Sequence, residues 1–444
     1  MIKTSRYPIR ERIEKSYQKV EERVEHDIEK YRKGDASLSV VDENGAPVKG
    51  AKISVRLKNH AFRFGANIFM LDELETPEKN EIYKDRFKEL FNLATLPFYW
   101  KANEPEEGLL RYDENSPKMY RRPPTDRCMR FCEENGIEPR EHGLAYGSCK
   151  FSFPEWLNGK SIEETKLLLE KRYREISERY ADKIPTIEVT NESGRFTANS
   201  PFYYEDDYMP FCYKLAEKYF PNNKIAVNED STLSWNTHAG KWSQYYMQIE
   251  KLLAMGCRID VIGMQYHMFN KKTPEKDFTS HFYDLEHLLW ILDTYATFGK
   301  PLEVTEVSIP AYSWDPEDEQ LQADIIEKLY KVWFSHPAME KIIYWNLADG
   351  YAHAAEPGDM TVGENVYYGG LLRFDMSKKP AYDTIHRLIH ETFTTKETRT
   401  TDGAGAASFR GFYGEYEYTV EKDGKTYTGT LTLDKSGSPI EIRV

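Results

Sequence analysis

The chain has 444 residues, of which 14% are aromatic and 30% charged, and a formal net charge of −13. That length suffices for one large core plus a smaller unit. An acidic chain without a basic tract argues against nucleic acid and anionic membrane surfaces as partners. Five cysteines, none in a CxxC pair, make neither a disulfide framework nor a zinc site. No apolar run is long enough to span a bilayer. The charged stretch from Met1 to Gly34 contains no apolar leader, so the expected location is cytoplasmic.

Residues 5–33 are rich in Glu, Lys and Arg, and Val20, Val24, Ile28 and Tyr31 recur at helical spacing. The pattern predicts a long helix with a narrow apolar stripe packing on the body of the protein, and residues 1–35 are assigned to it. Residues 36–60 alternate in polarity around a turn at Asp42–Gly45, which reads as a β-hairpin or meander. The last fifty residues read the same way: Gly411–Val420, Thr426–Leu433 and Ile440–Val444 are strands separated by Lys422–Lys425 and Asp434–Gly437 turns. Neither terminal piece has enough strands to be stable alone. Segments 36–60 and 395–444 are therefore expected to pair into one small all-β accessory domain, a β-sandwich.

Between them, residues 61–394 alternate strand and helix patterns. The strands expected are Phe62–Asn67, Leu93–Trp100, Arg140–Gly147, Thr186–Glu192, Lys224–Glu229, Val261–Met268, Leu302–Ile309 and Ile342–Leu347. The clearest helices are 78–91, 126–135, 162–180, 241–255, 282–297 and 318–334, with Pro77, Pro124 and Pro316 at starts and Gly136, Gly256 and Gly299 at stops. Eight strands with intervening helices predict an α/β fold, a (β/α)8 TIM barrel. Active sites of that fold lie at the carboxyl ends of the strands. Glu192 ends the fourth strand and Glu306 the seventh, on opposite sides of one barrel mouth. Paired carboxylates so placed suit glycoside hydrolysis, in which one protonates the leaving oxygen and the other attacks the sugar or activates water. Glu303 lies three residues before Glu306, on the other face of a regular strand, and with Glu188 reads as a network or surface residue.

Several segments, taken together and in order, carry a resemblance to glycoside hydrolase family 10, the xylanase family. They are Ile187–Glu192 with Asn191 before Glu192, Ile225–Asp230 with Asn228, Ile259–His267 with Gln265 and His267, Val304–Glu306, Tyr344–Asp349 with Trp345, and Lys379–Tyr382. The resemblance covers roughly Phe62 to Leu388. It implies a retaining β-glycosidase with Glu192 as general acid and Glu306 as ionised nucleophile. It implies that His267 orients Glu306, that Gln265 positions the sugar or Glu192, that Asn191 donates to the sugar 2-hydroxyl, and that Trp345 floors the sugar pocket. His142, Asn228, Tyr99, Trp100 and Tyr146 complete the expected substrate-binding set. No HxH closes the first strand and no ligand cluster is visible in the sequence, so no metal or other cofactor is expected.

The sequence also departs from the family. The polar Glu-Asn-Glu-Met-Lys-Trp-like run after the second strand is replaced by Thr95–Trp100, with Pro97, Phe98 and Tyr99 in place of polar groups. After the third strand His142 matches one family histidine, but Gly147 stands where a second would reach the sugar. The second Trp of the eighth-strand loop is replaced near His353. These changes predict retained carboxylate chemistry with rebuilt sugar recognition, and weak activity on plain xylan. The substrate expected is a differently decorated β-linked glycan or a small glycoside. A catalytically weak carbohydrate-binding protein on the same barrel is the alternative. The oligomeric state is left open.

Overall fold

The computed structural model describes residues 7–194, 199–269, 281–437 and 439–444. The expected N-terminal helix spans Tyr7–Tyr31; residues 5 and 6 lie outside the described ones. Ile9, Ile13, Tyr17, Val20 and Val24 form its buried stripe, set against the helices Pro316–Ser335 and Leu285–Ala296. Arg23 pairs with Asp293, and the Ser16 hydroxyl accepts the Leu285 amide.

Two strands follow, β1 (Lys33–Val41) and β2 (Lys52–His60). The barrel is then laid down by β3 (Arg63–Asn67), β4 (Leu93–Pro97), β5 (Glu138–His142), β6 (Thr186–Asn191), β7 (Lys224–Glu229), β8 (Val261–His267), β9 (Leu302–Ser308) and β10 (Met339–Tyr344). Among the described residues these eight are parallel and close on themselves, with β10 pairing β3. Their side chains are buried on both faces, as expected of a parallel sheet jacketed by helices. The helix starts and stops read from the sequence are built as expected. Thr76 caps the helix that opens on Pro77, Ser161 and Glu164 form a capping box, and Gly136 closes its helix in the left-handed region. The helix Tyr208–Tyr219 was not among those singled out in the sequence.

The strands of the barrel end earlier than their apolar runs suggest. Phe98–Trp100 belong to the turn and short helix after β4, and Gly143–Gly147 to the loop after β5. The last strands are β11 (Lys396–Thr400), β12 (Ala406–Phe412), β13 (Gly414–Lys422), β14 (Lys425–Leu433) and β15 (Ile440–Arg443). They combine with β1 and β2 into two sheets, β12-β1-β15 and β11-β2-β13-β14. Leu38, Val40, Phe409 and Ile442 of the first sheet share a core with Ile53, Val55, Tyr416, Val420 and Leu431 of the second. The segment Gly411–Val420, expected as one strand, breaks at Tyr413 because the chain crosses there from one sheet to the other. A side chain at Gly414 would come within 2.3 Å of the Asn59 carbonyl.

Candidate active site

The inside of the barrel is charged at its base. Arg140 of β5 reaches Glu188 of β6 at 2.7 Å and Glu303 of β9 at 3.0 Å, and Lys341 of β10 reaches Glu303 at 3.1 Å. All four are buried. Glu303 thus points toward the barrel axis, as Glu306 does, against the expectation from regular alternation. The reason is a bulge: in the β8–β9 register Met264 pairs Val304 but Gln265 pairs Glu306, so Thr305 is skipped. A like shift in β6–β7 between Glu188 and Thr190 brings Glu188 and Asn191 inward together.

Above this base the two expected glutamates meet. Glu192 follows β6 directly, at φ 50°, a left-handed backbone uncommon for a glutamate, with its amide donating to the Asn228 carbonyl at 3.2 Å. Its Oε2 accepts the Tyr146 hydroxyl at 2.6 Å. The Gln265 Nε2 lies 3.2 Å from Glu192 Oε1 and 2.9 Å from Glu306 Oε1. These two distances from one nitrogen put those oxygens within about 6 Å of each other, and with Asn191 Oδ1 at 3.1 Å the two hydrogens of that NH2 are shared among three acceptors. Glu306 Oε1 also accepts Asn228 Nδ2 at 3.1 Å, and His267 Nε2 lies 3.1 Å from Oε2. Ser308 Oγ is 2.9 Å from His267 Nδ1, so an Nε2–H tautomer that donates to Glu306 and accepts from Ser308 satisfies the ring. Thr305 donates to Asn228 Oδ1 at 2.7 Å, which fixes that amide with its NH2 toward Glu306. Asn191 Oδ1 accepts from both Asn228 and Gln265, each at 3.1 Å, leaving its NH2 as the group it can offer to a ligand.

Burial pushes the Glu306 carboxyl up to about 8. His142 pulls against this, while the charges of Glu188 and Glu192 add to it. An ionised Glu306 was expected, and burial in the free cleft works against that charge. Burial also opposes the charge on His142, but Glu188, 2.7 Å from Nδ1, outweighs it and raises the imidazole above its ordinary value. Glu188 in turn is drawn down to about 2 against its own burial by His142 and Arg140.

These groups open on a cavity of about 590 Å³ at the carboxyl ends of the strands. Of the expected binding set, Tyr99, His142, Tyr146, Asn191, Gln265, His267 and Trp345 line it. Trp345 stands edge-on to Phe69, His142 and His267. Asn228 sits one layer beneath and acts on Glu306. Trp100 does not line the cavity: it is 1% exposed, its indole donates to Glu104, and it packs against Phe153 and Trp156. It is a packing residue because the chain turns into the wall at Tyr99. Gly147 has a local cause as well, since a Cβ there would lie 2.8 Å from the Tyr208 hydroxyl, which is itself bonded to the Ala145 carbonyl.

Sequence reasoning missed most of one wall, having named only His353. Arg121, Arg122, Lys150 and His353 line the cavity from loops without a motif. The Arg122 guanidinium stacks 3.8 Å from the Tyr99 ring centre. Among the described residues, neither arginine nor Lys150 nor the neighbouring Lys101 has a carboxylate within ion-pair distance. Burial first, then Arg122, Arg121, Lys150 and Lys101, pushes His353 down to about 4, while Glu364, which lines the same cavity, bears on Arg122 with the opposite charge. In a chain of net charge −13 such a local excess marks a place suited to an anion.

Comparison with known proteins agrees with the barrel. The model of glycosyl hydrolase family 10 matches residues 57–388. Among curated relatives, the anti-sigma-I factor RsgI6 of Acetivibrio thermocellus is 26% identical over 93% of this chain and 48% of its own length. Endo-1,4-beta-xylanase 2 of Arabidopsis thaliana is 21% identical over 93% of this chain and 34% of its own length. The chain thus spans about half or less of these relatives. In fold it is similar to native xylanase 10B from Thermotoga maritima, with a TM-score of 0.57 and 20% identity over 75% of this chain and 96% of that one. The xylobiose complex of xylanase 10B from Thermotoga petrophila gives the same TM-score of 0.57, over 75% and 95% of the two chains. With the family model covering three-quarters of its length, the chain belongs to glycosyl hydrolase family 10.

Proposed function

We propose that the protein is a retaining β-glycoside hydrolase acting on a β-linked glycan or glycoside. The observation that carries this is Gln265, whose single nitrogen bonds both carboxylates. The resulting ceiling of about 6 Å suits the ~5–5.5 Å of a retaining pair, and falls short of the ~6.5–9.5 Å that an inverting pair needs for its water. The reactive form is a pair sharing one proton. Glu192 carries that proton and gives it to the leaving oxygen. Glu306, freed of its own, attacks the anomeric carbon and forms the glycosyl ester. Glu192, now a carboxylate, takes a proton from water as the water cleaves that ester. His267, Gln265 and Asn228 hold the Glu306 oxygens, and the Asn191 NH2 faces the 2-hydroxyl. The cationic wall at Arg121, Arg122 and Lys150 favours a sugar bearing a carboxylate decoration over plain xylan.

A 2-deoxy-2-fluoro β-glycoside with a good leaving group tests the mechanism. Mass spectrometry of peptides should find the sugar esterified to Glu306, and wild-type turnover should release the β-anomer first. Release of the α-anomer would contradict the retaining assignment. In Glu192→Ala, loss of the general acid should lower the rate on poorly activated leaving groups by ~10²–10⁴-fold and on a dinitrophenyl glycoside far less. A second reading, binding without turnover, is favoured by the relative named as an anti-sigma factor over 93% of this chain. Saturable binding of acidic xylo-oligosaccharides with no product from any aryl β-glycoside would support it.

A further inference from the structure

Three histidines that the sequence holds apart meet beside the short helix Ser231–Trp235. His238 lies in the loop after β7, His281 in the segment before the helix Leu285–Ala296, and His287 in the first turn of that helix. A ligating nitrogen from each lies within 4.8 Å of the other two. The ring centres are 4.6 Å apart for His238–His281, 4.6 Å for His238–His287 and 5.1 Å for His281–His287. No ligand cluster was legible in the sequence, because nothing in the spacing of these residues signals one. We infer that His238, His281 and His287 form a binding site for a Zn²⁺-class transition-metal ion.

The second observation concerns His287, the most buried of the three. Its Nε2 lies 2.9 Å from the Trp235 carbonyl, which can only accept, so Nε2 carries the hydrogen and Nδ1 presents its lone pair. A backbone carbonyl that fixes the tautomer and aim of a ring is the usual support behind a metal-bound histidine. Imidazole nitrogens suit zinc, copper and nickel far better than calcium or magnesium, which take oxygen. Zinc bonds nitrogen at about 2.0–2.1 Å, so tetrahedral coordination would draw the three atoms to about 3.3 Å of one another. His238 is exposed and His281 only half-buried, so side-chain rotation can close that gap. A fourth position stays open to water.

The site joins one wall of the cleft to the helix Leu285–Ala296. The short helix Ser231–Trp235 lines the cavity through Ser231 and Thr232 and is tied to the chemistry at both ends. The Ser231 hydroxyl accepts the His267 amide at 2.6 Å, and the Trp235 indole donates to the Gln265 carbonyl at 2.7 Å. His238 follows it by three residues. An ion here fastens that wall to the neighbouring helix and takes no part in bond cleavage.

The test is Zn²⁺ titration of the chelator-stripped full chain by calorimetry, with Co²⁺ absorption as a second readout. One ion per chain is expected, with a visible Co²⁺ spectrum of four-coordinate type and a rise in melting temperature. His238→Ala and His281→Ala should each weaken binding at least tenfold and abolish the thermal shift. Both positions are accessible enough to be replaced without loss of fold, whereas His287→Ala also strips the Trp235 carbonyl. His26→Ala, on the exposed face of the N-terminal helix, should bind like the wild type. Absence of stoichiometric binding, or binding unchanged in both His238→Ala and His281→Ala, would overturn the inference whatever the enzymatic result.

Discussion

Gln265 and Glu306 show how far one buried amide and one buried carboxyl constrain each other. Glu306 is held up to about 8, first by burial, whereas an unfolded glutamate titrates near about 4.3. Between those values the native state carries the extra proton, so this group's contribution to stability is full below the lower value and is lost as pH rises through the upper one. Glu306→Gln removes the titration. Its melting temperature relative to the wild type should therefore climb as pH goes from 5 to 8.5; an offset constant over that range would show that the carboxyl is not held up. Arg122 yields a second expectation. Arg122→Met keeps much of the packing on Tyr99 while deleting the charge. It should lower kcat/KM on a uronic-acid-bearing oligosaccharide by roughly tenfold, the size of a charged hydrogen bond, and leave a neutral aryl xyloside within about twofold. Equal losses on both substrates would assign Arg122 to packing alone. These two residues mark the limit of what the sequence disclosed. Glu192, Glu306, Asn191, Gln265 and His267 sit toward strand ends, which the fold gathers at the barrel mouth. Arg121, Arg122 and Lys150 come from loops, whose paths depend on contacts far along the chain.

Bulges and helix faces carry the next level of specification. Strict alternation puts Glu303 and Glu306 on opposite faces, and only the skipped Thr305 turns both inward. No local pattern of β-branched residues announces that irregularity, so strand position was readable and facing was not. The segments Leu93–Trp100 and Arg140–Gly147 misled in the opposite sense, because the buried loop residues Phe98–Trp100 and Leu144–Tyr146 look like strand. The N-terminal helix was more legible, since a stripe recurring every three to four residues has one use. Ile13 is 1% exposed at the centre of that stripe. Ile13→Ala should destabilise the protein by ~2–4 kcal/mol, as truncating a buried isoleucine does. Denaturant unfolding would measure it. A loss below about 0.5 kcal/mol would mean that the helix is an appendage without structural weight.

The two ends of the chain depend on each other through the sandwich. β1 pairs with β12 and β15, and β2 with β11 and β13, so neither N-terminal strand pairs with the other. Only two residues separate β2 from β3, and the buried His60 at that junction packs against Phe62 and Phe64 of the barrel segment, Phe334 and Phe412. Loss of the C-terminal strands would therefore expose Leu38, Val40, Ile53 and Val55, each worth ~1.5–3 kcal/mol when fully buried. It would also open both edges of β1 and of β2 beside the first strand of the barrel. A chain ending at Thr394 should melt about 10 °C or more below the full chain and aggregate on heating. Cleaving the intact protein in the turn near Gly403 should leave the C-terminal piece bound until the protein is denatured. Release of that piece as an independently folded unit, or an unchanged melting temperature in the shortened chain, would separate the sandwich from the barrel. The joint strands would then be a docked module, and not part of what holds the first barrel strand in place.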